Sequence, residues 1–248
     1  MFLCGQAIVI KALPLCHSSD TVKDNAAGMG FGSQECAMLP PLADQLLDSL
    51  ETGDVLLFSG KGLLSDVIRW YTGSPWTHIG LVVRFEEDVP PLLLEATVGN
   101  EAADLLTGKC QSGVTLVSLS SKLRNYPGDI VVRRRQGKPL SERQRRLVRR
   151  LVRRLYRRPY RNYLWRLLLD QFPGRYRDSG IFCSELVAEF YRRLGWLPAD
   201  IRTGRVVPGH FAGESLPLQN SVLAPAQWLK GATLGEAEKK SPLMVAAR

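Results

Sequence analysis

Five short, nearly unbroken apolar runs crowd into residues 54–134. They read DVLLFS (54–59), IGLVVRF (79–85), LLLEATV (92–98), GVTLVSL (113–119) and DIVVRR (129–134). Each has the length of a strand and is flanked by turn-forming residues, so each reads as a buried strand. Strands this close in sequence, joined by turns rather than by helices, imply an antiparallel sheet.

Helical periodicity brackets and interrupts these runs. Leu42, Leu46, Leu47 and Leu50 repeat at helical spacing up to Gly53. Leu63, Leu64, Val67, Ile68 and Tyr71 define one apolar side of a second helix, with Gly73 as its stop signal. Ser141 with Gln144 three residues on is a capping-box signature. Leu147, Val148, Leu151, Val152 and Leu155 follow it as one stripe. Residues 162–172 read as a further helix, stopped by Pro173-Gly174. Cys183 opens another, whose face is Leu186, Val187, Phe190 and Leu194 and whose end is Gly195. The fold class is α+β, an antiparallel sheet packed against helices. We expect a poorly ordered extension over 1–41, one domain over 42–225 and a tail over 226–248.

The 248 residues suffice for such a core. No stretch approaches the ~18 apolar residues that span a bilayer. MFLCGQAIVI is apolar but has no basic residue before it, and Lys11 interrupts it, so it makes a poor signal peptide. The expected location is cytoplasmic. Five cysteines, an odd number without metal-ligand spacing, argue against a disulfide framework. The chain holds three histidines, His17, His78 and His210. Their scarcity matters, because a neutral-pH general base is most often His.

Three residues carry candidate chemistry. Cys183 sits at a helix start after Asp178-Ser179-Gly180, where free N–H groups and the helix dipole favour a thiolate. A lone cysteine more commonly packs as a small hydrophobe. His78 sits where a loop meets a strand, able to face a cleft from a rigid backbone or to serve as a structural histidine. Glu95 interrupts an apolar strand, and a buried carboxylate needs a partner. It either accepts the His78 N–H, fixing the tautomer, or lies on an edge in water. His210, in a Pro/Gly loop, competes for the base role, and His17 ranks last.

GDVLLFSGKG, SPWTHIGLVV, LLLEAT and FCSELVAEFYRRLG, in that order, resemble the circularly permuted branch of the NlpC/P60 papain-like superfamily. In that branch the histidine strand precedes the cysteine helix. The resemblance covers Gly53 to Phe211, and THIG and FCSEL are its strongest elements. It implies that Cys183 is the nucleophile, His78 the general base and Glu95 the residue that orients His78. It implies cleavage or transfer at amide, ester or thioester carbonyls, with no metal or organic cofactor. Arg158-Pro159-Tyr160 resembles the Pro-Tyr segment that precedes the cysteine helix, which makes Tyr160 a cleft candidate. Trp76, Ser184 and His210 are the other cleft candidates.

One segment departs from the simplest members. Residues 133–158 hold thirteen Lys or Arg and one acid, Glu142, a balance of +12, while the rest of the chain sums to −3. Arg145, Arg146, Arg149, Arg150, Arg153 and Arg154 fill the side of the helix opposite its stripe. A solvated face usually interleaves acids at i,i+4, yet no acid follows Glu142 until Asp170. That points to an anionic partner. A membrane surface is favoured, at ~1 kcal/mol per basic residue. Nucleic acid is disfavoured because no recognition motif accompanies the patch. The reading is a thiol hydrolase, with acyl transfer or a non-catalytic membrane- or nucleic-acid-binding module as alternatives.

Overall fold

The computed structural model describes residues 41–99, 101–161 and 180–231. The chain divides into two units, Met1–Cys36 and Ala37–Arg248, and all described residues belong to the second. The extension expected before residue 41, the helix over 162–172 and the last part of the tail lie outside the described residues.

The elements run α1 (Pro41–Asp48), β1 (Val55–Ser59), α2 (Leu63–Thr72), β2 (His78–Val83), β3 (Leu92–Thr97), β4 (Gly113–Ser118), α3 (Leu119–Asn125), β5 (Asp129–Arg133), β6 (Arg135–Gly137), α4 (Glu142–Leu155), α5 (Cys183–Arg193), β7 (Ser221–Leu223) and β8 (Gln227–Lys230). Two 3-10 turns, Thr203–Arg205 and Pro208–Phe211, lie between α5 and β7. A six-stranded sheet has the order β4-β3-β2-β1-β5-β8, with every neighbouring pair antiparallel. β6 and β7 form a separate ribbon.

Helices cover both faces of the sheet, which is why its central strands read as continuous apolar runs rather than alternating ones. Leu57, Ile79, Leu81 and Leu94 face α4 and α5, packing on Val148, Leu151, Leu186 and Phe190. Leu56, Phe58, Val82 and Leu93 face the other way, towards Leu47 and Leu50 beside α1 and Leu119 and Leu123 of α3. Each such side chain, fully buried, contributes about 1.5–3 kcal/mol.

The capping box that begins α4 is present: Gln144 N donates to Ser141 Oγ (3.3 Å) and Ser141 N donates to Gln144 Oε1 (3.0 Å). The stripe buries Val148, Leu151, Val152 and Leu155, while Arg146, Arg149, Arg150, Arg153 and Arg154 are exposed. The far end of α4 is tied to the sheet through Gly113, where φ is +107° and an added Cβ would lie 2.7 Å from the Arg158 carbonyl oxygen. Only glycine fits that approach.

Part of the apolar side of α2 is exposed, and one domain boundary needs correction. Leu63 and Trp70 are 86 % and 83 % exposed, and Val67 and Tyr71 are exposed as well. The helix ends as expected, at Gly73 in the left-handed region. Arg69 ties it to the residue after β1, its guanidinium donating to the Gly60 carbonyl (2.7 Å). The domain also continues past residue 225. Gln227–Lys230 is the edge strand β8, paired with β5. The Lys230 ammonium donates to the Leu123, Arg124 and Tyr126 carbonyls at 2.8, 3.0 and 2.6 Å. A cation there meets the negative end of α3.

Candidate active site

His78 is the first residue of β2, opposite Phe58 in the register. Its ring lies 5.2 Å from the Phe58 ring, centroid to centroid. Glu95 lies within β3, opposite Thr115 of β4. Side chains alternate across a strand. With Leu94 and Ala96 turned to the α4/α5 layer, Glu95 turns with Leu93 towards α3. There it is fully buried, and its Oε2 lies 2.6 Å from His78 Nε2. That contact occupies Nε2.

α5 packs against β2 and β3, which brings its first residue, Cys183, to His78. The two side chains are near enough to interact electrostatically. The entry to α5 is fixed by a short parallel bridge between Tyr160 and Ile181. Ile181 N donates to Pro159 O (3.0 Å), and Arg161 N to Ile181 O (3.2 Å). Phe182 N donates to the Glu185 carboxylate (3.3 Å). The Pro-Tyr segment therefore braces the strand-like approach to the cysteine. Cys183 itself is 6 % exposed.

Burial alone would lower the His78 pKa and raise that of Glu95. For His78 the hydrogen bond and charge of Cys183 come next, then those of Glu95, and together they raise it to about 9. For Glu95 the charge of Lys122 leads, then the hydrogen bond and charge of His78, and its pKa falls to about 2. Both shifts favour a charged imidazolium beside a charged carboxylate.

Lys122 is the site residue that sequence reasoning missed. It lies in α3, is 1 % exposed, and its Nζ is 3.0 Å from Glu95 Oε1 and 2.7 Å from Glu101 Oε2. The ammonium also sits over the Phe58 and Tyr126 rings at 5.5 and 5.4 Å, within cation–π range. The signal was indirect: a buried carboxylate demands a cation. Nothing in the short stretch LSSKLRN marks this lysine among the chain's many basic residues.

The cleft candidates fall in different places. Ser184 is buried and donates to the Val206 carbonyl (2.6 Å), so its hydroxyl is spent on holding α5 to the following turn. Trp76 is also buried, with its ring 6.2 Å from Trp228. Both side chains are as buried as that of Cys183. Tyr160 is half-buried, edge-on to Phe182. His210 Nδ1 accepts from Val207 N (3.3 Å), capping its own 3-10 turn, and burial lowers its pKa. His17 lies outside the described residues.

Of the Arg face, Arg145 lies 3.7 Å from Glu142 and Arg149 3.9 Å from Glu86, both loose, exposed pairs. Among the described residues no helix is long and apolar enough to cross a membrane, and no group of three or more His, Cys, Asp or Glu is placed to hold a metal ion.

No family model and no curated protein matches the chain. Among solved structures it is similar to the metalloprotein yiiX from Escherichia coli O157:H7, with 18% identity over 74% of this chain and 98% of that one, at a TM-score of 0.42.

Proposed function

We propose that this chain is a cysteine-dependent hydrolase of the permuted papain-like kind, acting on an amide, ester or thioester carbonyl. The observation that carries the reading is His78 at the start of β2, 2.6 Å from a buried Glu95 and electrostatically coupled to Cys183 at the start of α5, which packs on that strand. That is the nucleophile–base–orienter arrangement of acyl-transfer sites. The histidine strand comes before the cysteine helix, and the helix packs on that strand, as the permuted order requires.

The chemistry follows from the groups. The Cys183 thiolate attacks the acyl carbon, and the carbonyl π electrons move onto oxygen. The N–H groups in the first turn of α5, which have no intrahelical acceptor, favour negative charge there. As the tetrahedral species collapses, the bond to the leaving amine or alcohol breaks, and the His78 imidazolium gives that group its proton. A thioester remains on Cys183. Neutral His78 then takes a proton from water, whose oxygen attacks the thioester. The acid departs and the thiolate–imidazolium pair returns. An alcohol or amine in place of water makes the same cycle an acyl transfer.

The test is iodoacetamide alkylation against pH, read by peptide mass spectrometry in wild type and His78→Ala. Exposed Cys110 is the internal reference for an ordinary thiol. Fast Cys183 labelling well below the free-thiol pKa of ~8.5, slowed in His78→Ala, is the expected result. If Cys183 labels more slowly than Cys110 at every pH in both proteins, the reading fails and Cys183 is structural.

A membrane surface remains the favoured partner. The exposed arginines of α4 supply charge, and Leu63, Val67 and Trp70 supply an exposed apolar stripe on α2, in the segment leading to His78. Charge attraction with shallow apolar insertion is how amphipathic helices hold anionic bilayers. Co-sedimentation with phosphatidylserine-containing vesicles, lost on pure phosphatidylcholine, is expected. Binding to duplex RNA without vesicle binding would instead favour the nucleic-acid alternative.

A further inference from the structure

We infer that Lys122 is a positioning residue for the Cys183–His78 pair, acting through Glu95 by balancing its charge. This rests on the catalytic reading above and deepens it. Glu95 has two oxygens and two partners, and they are divided without overlap: Oε2 is 2.6 Å from His78 Nε2, and Oε1 is 3.0 Å from Lys122 Nζ. An ammonium 3.0 Å from Oε1 keeps Glu95 ionised, and an ionised Glu95 beside Nε2 favours one protonation state and orientation of the imidazole. Phe58 packs against both the His78 ring and the Lys122 ammonium, at 5.2 and 5.5 Å. Glu101 holds the ammonium from its outer side at 2.7 Å.

In the ion-pair state the line reads thiolate, imidazolium, carboxylate, ammonium, carboxylate, alternating in sign from end to end. Tyr126, the remaining titratable neighbour, has its pKa raised by burial and stays protonated. A purely structural lysine would hold α3 to β3 and leave the chemistry of the thiol alone. A positioning lysine must in addition be felt electrostatically at Cys183 and His78. Its sign is fixed: removing a nearby cation makes protons harder to lose at every neighbour.

The experiment is the Cys183 alkylation–pH profile of the full chain, in wild type, Lys122→Met and Glu101→Gln, with folding checked by circular dichroism. On the catalytic reading the profile holds two steps, one for each member of the thiol–imidazole pair. Lys122→Met is expected to move both steps upward by on the order of one pH unit. Glu101→Gln, losing an anion at the outer end, is expected to move both downward by less. Because Glu101 is partly exposed, that variant folds and decides the matter if Lys122→Met does not. Steps that stay in place in the folded variants while labelling weakens would overturn the inference and leave Lys122 structural. A wild-type profile with no lowered step at all would sink the catalytic reading itself, which is a separate result.

Discussion

The outer face of α4 and the buried line from Cys183 to Lys122 are both assemblies of charge, built on opposite terms. On α4 the guanidinium groups stand in water, where two charges 4 Å apart exchange only about 1 kcal/mol and salt screens them beyond ~8 Å. No single arginine matters much there, and the face acts only as a sum. In the buried line, Glu95 and Lys122 are almost entirely shielded, and each group determines the state of the next. Density of charge in the sequence therefore marks a surface, whereas a few isolated charges in apolar strands mark a site.

The largest expected effect comes from the buried line. Cys183→Ser or His78→Ala should lower turnover of an activated ester or amide by about a thousandfold or more, with the circular dichroism spectrum unchanged. Simultaneous reversal of Arg149, Arg150, Arg153 and Arg154 to Glu should leave that turnover intact. The opposite pattern, silent Cys183→Ser and lost function on charge reversal, would support the non-catalytic binding module.

Next comes stability. Glu95→Ala removes the buried carboxylate that both His78 and Lys122 face and should destabilise the fold by about 3–5 kcal/mol in denaturant titrations. Arg150→Ala, on the exposed face, should change it by no more than about 0.5 kcal/mol. Comparable costs at the two positions would erase the distinction drawn here.

A smaller effect is the pH dependence of folding. Glu95 titrates near 2 in the fold against an ordinary 4.5, so its stabilising contribution is full above about pH 4.5 and is lost as pH falls towards 2. His78 titrates near 9 against 6.5. Its contribution is therefore full below about pH 6.5 and lost as pH rises through 9. Urea midpoints should decline at both ends. The alkaline decline should be absent in His78→Ala, and its persistence there would assign it to another group. Smallest of all, raising salt from 0.1 to 0.5 M should release the protein from anionic vesicles while leaving the Cys183 alkylation profile in place.

Much of this was legible because it is local. The strand runs, the α4 capping box and the helix starting at Cys183 depend on residues a few positions apart, and the structure has them. Cys183, His78 and Glu95 could be singled out because a thiol at a helix start, a histidine at a strand edge and a carboxylate inside an apolar run each conflict with their surroundings. What failed was burial and partnership. The pattern of α2 correctly gave a helix, but periodicity shows that a helix has an apolar side and says nothing of what that side meets. Gln227–Lys230 is too short and mixed to announce a strand, and only the open edge of β5 makes it one.

By itself, then, the sequence determined the class of fold, the strands and helices, and the three residues whose chemistry conflicts with where they sit. The tertiary structure decided that His78 meets Glu95 at 2.6 Å, that Ser184 and Trp76 are buried, that Leu63, Val67 and Trp70 of α2 are exposed, and that Lys122 lies 3.0 Å from Glu95. The physical reason is that propensity and periodicity act over one or two turns of chain. A carboxylate on β3 finds its cation on α3 only when two separate elements dock on the same face of a sheet.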